Sequence, residues 1–215
     1  MKKIPPIFVL SAVLSGLLVL VSCNAVSKDA KKSPTRLIVE SVLGTTDGGS
    51  TAAFLESDVQ DLDYSTLPPT PFVTANTAQI TLRADLIDPS SISGPSPYND
   101  ITLTGYSVSY ALPNGTGTPG VDVPLPIENS LSTIYIPVGD SVTVPFIVVL
   151  ASAKNLPPLL ALAGTTSSLQ INATIQFSGQ DPDGNQVTAT GSLTITFADF
   201  YDAAPEGDAA SPIKR

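Results

Sequence analysis

The residue types that usually carry catalysis are nearly absent from this chain. It has no histidine and one cysteine, Cys23. Without an imidazole, neither a Ser-His-Asp nor a Cys-His arrangement can be assembled, and His-liganded zinc sites go with them. Ser152-Ala153-Lys154 has the residue types of a Ser–Lys nucleophile but not the Ser-x-x-Lys spacing. What remains is carboxylate. Glu56, Asp58, Asp61 and Asp63 could supply hard-cation oxygens from one loop, or form a solvated acidic face. Asp181-Pro182-Asp183-Gly184-Asn185 has the alternating oxygens and glycine that open a calcium loop, but its twelfth position is Ser192 where a bidentate Glu belongs. Those residues are equally turn formers, and a hairpin turn is the reading adopted. Two-carboxylate hydrolysis stays formally open to so acidic a chain, yet spacing singles out no pair. No catalytic, cofactor-binding or metal-ligating residue is assigned, and the protein is expected not to be an enzyme.

Tyrosines are the remaining candidates for a contact surface. Tyr106 and Tyr110 share the inner phase of a strand and are expected in the core with hydroxyls at the rim. Tyr64 beside Asp63 and Tyr98 beside Asp100 fall in loops and are the better contact residues, although Pro95, Pro97 and Asn99 also make the Tyr98 segment a plain turn. There is no tryptophan, the side chain sugar-binding platforms often use.

Cys23 has a chemistry of its own. Lys2 and Lys3 precede an apolar stretch from Ile4 to Val21, and Leu20-Val21-Ser22-Cys23 closes it. A basic start, an apolar middle and small residues at the end read as an export signal. The alternative, a retained transmembrane helix of about 18 to 20 residues, is opposed by Pro5 and Pro6 near its start. The closing four residues resemble the lipobox of bacterial lipoproteins. That resemblance implies cleavage before Cys23, diacylglycerol on its sulfur and usually a third, palmitate-class chain on the new N-terminus. Two or three chains anchor stably where one, at about 0.8 kcal/mol per buried methylene, does not. Under the sorting rule of enteric lipoproteins, Asn24 rather than Asp after the cysteine implies the outer membrane.

Cutting 22 residues from the 215 leaves 193 and removes Lys2 and Lys3, so 10 basic side chains fall to 8 against 19 acidic ones and the net charge from −9 to −11. Such a surface repels phosphate backbones, and no nucleic-acid partner is expected. With one cysteine there is no intramolecular disulfide, so stability rests on burial.

The elements that must position these residues are strands. Twenty prolines and fifteen glycines among many Thr, Ser and Val argue for short strands joined by turns. Period-two alternation marks 80–86, 168–177 and 187–197, the last two making a hairpin about Asp181–Asn185. Over 101–112 the apolar phase moves from Ile101 and Leu103 to Tyr106, Val108, Tyr110 and Leu112, which predicts a bulge at Gly105. Val142 to Leu150 reads as a strand whose second half is apolar on both faces and deeply buried, with Pro145 on an edge. Residues 37–42 and 52–56 are weaker strands, and 113–136 is expected to hold short edge segments. Asn155 to Gly164 predicts one or two helical turns, capped by Asn155, crossing between sheets.

Seven to nine strands with one short crossover helix suit an immunoglobulin-like antiparallel β-sandwich. Ala189 to Phe197 resembles the last strand of bacterial Ig-like or fibronectin-like modules. The expected layout is a signal peptide over 1–22, a lipidated Cys23 and flexible tether over 23–35, the sandwich over 36–200 and a disordered acidic tail over 201–215. The function expected is that of a membrane-anchored, non-catalytic binding or structural module of the cell envelope, with a protein or glycan partner. A glycan-binding module and a subunit of a surface or secretion assembly are the alternatives.

Overall fold

The computed structural model describes residues 32–91 and 94–202. Cys23, the expected signal peptide over 1–22 and the residues 203–215 of the expected tail lie outside them. The described chain is all-β, with two sheets holding nine strands around one core. The first has the order β2 (Thr51–Ala52), β1 (Thr35–Thr45), β6 (Asn76–Leu86), β9 (Ser141–Val149). The second has the order β3 (Phe54–Asp58), β11 (Gln186–Ala198), β10 (Ser168–Gln180), β7 (Ile101–Ala111), β8 (Ile127–Ile136). A separate two-stranded ribbon pairs β4 (Asp61–Asp63) with β5 (Thr70–Phe72).

The predicted hairpin is the spine of the larger sheet. β10 and β11 pair without a break from Ser168 opposite Ala198 to Gln180 opposite Gln186. Their alternation sends Ile171, Ile175, Phe177, Leu193, Ile195 and Phe197 inward, where they meet Ile80 and Leu82 of β6. The predicted bulge also forms. Leu103 pairs Gly179 and Gly105 pairs Ser178, so Thr104 is the extra residue, and the inward phase changes from Ile101 and Leu103 to Tyr106, Val108 and Tyr110. Gly179 lies opposite this bulge, where a Cβ would come within 2.8 Å of the Thr102 carbonyl oxygen.

Some expectations need correction. Asn155 closes a helix instead of opening one. α1 (Ala151–Lys154) is a single turn, and the Asn155 amide caps it. Pro157 disfavours helical backbone at Leu156 and cannot donate, so the segment resumes only as a 3₁₀ turn over Leu159–Leu162. Its path is as expected, leading from β9 in one sheet to β10 in the other. In β9, Phe146, Val148 and Val149 are buried but Ile147, like Leu150 just after the strand, is partly exposed, because one face of β9 meets solvent. Pro145 does lie on that edge strand. The 113–136 region contributes one ten-residue edge strand, β8, in place of short segments; two register shifts interrupt its pairing with β7. The expected tether ends earlier than Thr35, since Ser33 and Thr35 are buried and the Ser33 side chain bonds Asp181.

Candidate functional site

The acidic run does not converge as a unit. The Glu56 carboxylate accepts from the Asp47 amide at 2.8 Å, holding the turn between β1 and β2, and Asp63 accepts from the Ser65 amide at 2.9 Å in the turn that follows it. Asp58 and Asp61 do meet, joined by a residue that composition had assigned to the tail: one carboxylate oxygen from each of Asp58, Asp61 and Asp202 lies within 4.8 Å of the others. Three elements bring them together. β3 ends at Asp58, β4 begins at Asp61, and the chain leaving β11 returns along them, with the Phe200 amide 3.4 Å from Asp58 Oδ1 and the Tyr64 hydroxyl donating to the Asp202 carbonyl at 3.1 Å.

Lys154 is buried beside this group, 2 % exposed, its ammonium donating to the Asp58 carbonyl. Burial pulls the Lys154 pKa down against the attraction of Asp61 and Asp58. Burial also pushes the Asp58 carboxyl up to about 6, assisted by repulsion from Asp61 and Asp202 and opposed by the Gln60 and Phe200 amides. Asp202 rises for the same reasons, burial first and then Asp61. The Lys154 ammonium is thus attracted by two of the three carboxylates, Asp61 and Asp58, while its hydrogen bond goes to a backbone carbonyl. Oxygen ligands for a hard cation exist here, but Lys154 already supplies positive charge.

The ribbon also forms an open groove of about 320 Å³ lined by Leu62, Asp63, Tyr64, Thr70 and Phe72. Spacing did not reveal it, because three-residue strands show almost no period. The signal available was the aromatic-acidic run Asp199-Phe200-Tyr201-Asp202, too structured a sequence for a solvated tail.

The other candidates resolve into structure. Asp181 is a turn residue: Oδ1 accepts from the Asp183 and Asn185 amides at 3.0 and 2.9 Å, and Oδ2 from Asn185 Nδ2 at 2.9 Å. Gly184 takes the positive φ of 81° that the turn requires. Burial raises the Asp181 pKa, but these bonds and that of Ser33 outweigh it and hold the group below the usual carboxylate range. Asp100 is buried and accepts from the Val138 amide and the Tyr135 hydroxyl, while its neighbour Tyr98 is 74 % exposed. The sequence pair therefore divides, one residue inside and one out. Tyr106 and Tyr110 are in the core as expected, but their hydroxyls bond the backbone of β9 instead of the rim. A second groove, of about 290 Å³ and lined in part by Arg36, Arg83 and Asp85, has its charges engaged with each other: Arg83 lies 3.0 Å and Arg36 3.8 Å from Asp85.

No protein-family model and no curated protein sequence matches this chain.

Proposed function

We propose that this protein is a bacterial envelope lipoprotein, held by acyl chains on Cys23, whose domain is a non-catalytic binding module. The observation that carries the reading is Leu20-Val21-Ser22-Cys23 directly behind the apolar run, with no other cysteine in the chain. Asn24 favours the outer membrane. An immunoglobulin-like or fibronectin-like assignment of the sandwich is the finer reading, supported by the closing hairpin β10–β11 and by a crossover between the sheets. The non-catalytic reading is supported by the absence of histidine and by carboxylates that tie turns or pack round Lys154.

Among the binding readings, a protein partner is favoured over a glycan by the groove on the ribbon, whose lining is aliphatic and aromatic with the carboxylate of Asp63. Strand addition by a fibre subunit is disfavoured by both outer strands on the β8–β9 side. β8 carries register breaks and Asn129 at φ 46°, and β9 carries Pro145 and a bulge.

The test is protease shaving of intact cells carrying a C-terminally tagged chain, with Cys23→Ala beside it. Membrane retention that disappears in Cys23→Ala supports the anchor, and loss of the tag from intact cells places the module outward. A Cys23→Ala chain processed and retained like the parent overturns the reading.

A further inference from the structure

The β4–β5 ribbon keeps apolar side chains in water next to a group of carboxylates attended by the buried Lys154. Phe72 is 45 % and Leu62 37 % exposed in the groove, and Leu67, in the turn between the strands, is 97 % exposed. A two-stranded ribbon of three-residue strands has little stability of its own, and contiguous exposed apolar surface rimmed by polar residues marks an interaction site. The rim here is of one sign. Asp63 lines the groove, Asp61 stands two residues before it on β4, and Asp58 and Asp202 adjoin Asp61. The cation among them, Lys154, is buried with its ammonium already given to the Asp58 carbonyl.

We infer that this groove docks an extended segment of another protein in which apolar side chains alternate with Lys or Arg. An apolar side chain packs on Phe72, which shares its face of the ribbon with Asp61 and Asp63, and the flanking cations pair with those two carboxylates and with Asp202. Alternation matters because successive side chains of an extended segment point to opposite sides, so one row fills the groove while the long Lys or Arg stems of the other bend back to its rim. Charge complementarity selects the occupant. An acidic segment adds like charge to carboxylates that already repel one another, and an anionic lipid surface is repelled for the same reason. The inference rests on the binding-module reading but not on the anchor.

The test uses the full chain in neutral detergent and a fluorescein-labelled nonapeptide alternating Leu and Lys, read by anisotropy against Leu–Glu and Ser–Lys peptides. The Leu–Lys peptide is expected to bind, and the other two to bind at least about fivefold more weakly, the equivalent of about 1 kcal/mol. Asp61→Asn with Asp63→Asn is expected to weaken it about fivefold, and so is Phe72→Ser, whose exposed position leaves folding intact. Asp122→Asn with Glu128→Gln, in the loop before β8 and on β8 itself, four strands from β3, is expected to change it less than twofold. Absence of binding, equal binding of either control peptide, or equal weakening by the β8-edge pair overturns the inference. Because anchoring is read on cells and docking on purified chain, failure of one is distinguishable from failure of the other.

Discussion

The Tyr106 hydroxyl donates to the Ile147 carbonyl and accepts from the Ile147 amide, both at 3.1 Å. One side chain of the larger sheet thereby satisfies both backbone groups of a residue in the smaller one. The reason lies in the register of β9, where Asn76 pairs Val149 and Thr77 pairs Ile147, leaving Val148 as a bulge. Tyr110 completes the arrangement, its hydroxyl donating to the Val148 carbonyl at 2.7 Å. Beneath them Tyr106, Phe146 and Phe177 pack with ring centroids 5.4 to 5.6 Å apart. β9 is thus held to its own sheet by the ladder and to the facing sheet by two phenols.

Replacing Tyr106 or Tyr110 with Phe keeps the ring and removes the bond, leaving backbone groups at the bulge unsatisfied. Each substitution is expected to cost about 1 to 3 kcal/mol in urea unfolding. Amide exchange at Ile147 should accelerate in Tyr106→Phe and not in a surface control such as Tyr98→Phe. Unchanged stability in both variants would mean that solvent replaces the phenols and that the inter-sheet tie has no energetic weight.

These two tyrosines show how far the sequence could be read. Their inward phase was visible, because the Gly105 break and the period-two pattern fix which face each side chain takes. Their partners were not, because a bulge in β9 depends on pairing with β6, about seventy residues earlier, and local pattern carries no such information. The same division holds at the acidic cluster. Asp58 and Asp61 are close in sequence, whereas Asp202 and Lys154 arrive through the return of β11 and the single turn of α1. Long, regularly alternating strands such as β10 and β11 were legible; β4 and β5, three residues each, were not.

β1 closes the opposite side of the fold through a close backbone approach. A Cβ on Gly44 would stand 2.5 Å from the Phe54 carbonyl oxygen and 2.8 Å from Leu55 Cβ, so the contact between β1 and β3 admits no side chain there. Gly44→Ala is expected to destabilise the domain by about 1 to 3 kcal/mol. Gly48→Ala, in the following turn and with no contact closer than 3.9 Å, should be nearly neutral by the same thermal denaturation assay. Equal tolerance of both would show that β1 and β3 can separate at no cost.

The acidic cluster gives stability an unusual pH dependence. Asp58 titrates near 6 in the folded chain against an ordinary value of 3.8. The folded state therefore binds more protons than the unfolded state between those values, and stability rises as pH falls from about 7 toward 4. Below that range the depressed carboxyls of Asp63, Asp88 and Asp181 reverse the trend. Melting temperature is expected to increase between pH 7.5 and 5 in the parent. Asp58→Asn should raise it at pH 7.5 and flatten the rise. Lys154→Met should lower it at pH 7.5 and steepen the rise, since Asp58 and Asp61 then lose the ammonium that attracts them. A parent that loses stability steadily below pH 7 would contradict this account of the cluster.

Everything proposed about where the protein acts depends on one covalent event at Cys23. The most direct measurement is mass spectrometry of the N-terminal peptide of the chain isolated from bacterial membranes. The account predicts a peptide that begins at Cys23, carries diacylglycerol on its sulfur and is absent from Cys23→Ala. A mature chain that retains Met1, or one that begins elsewhere with Cys23 unmodified, would contradict it.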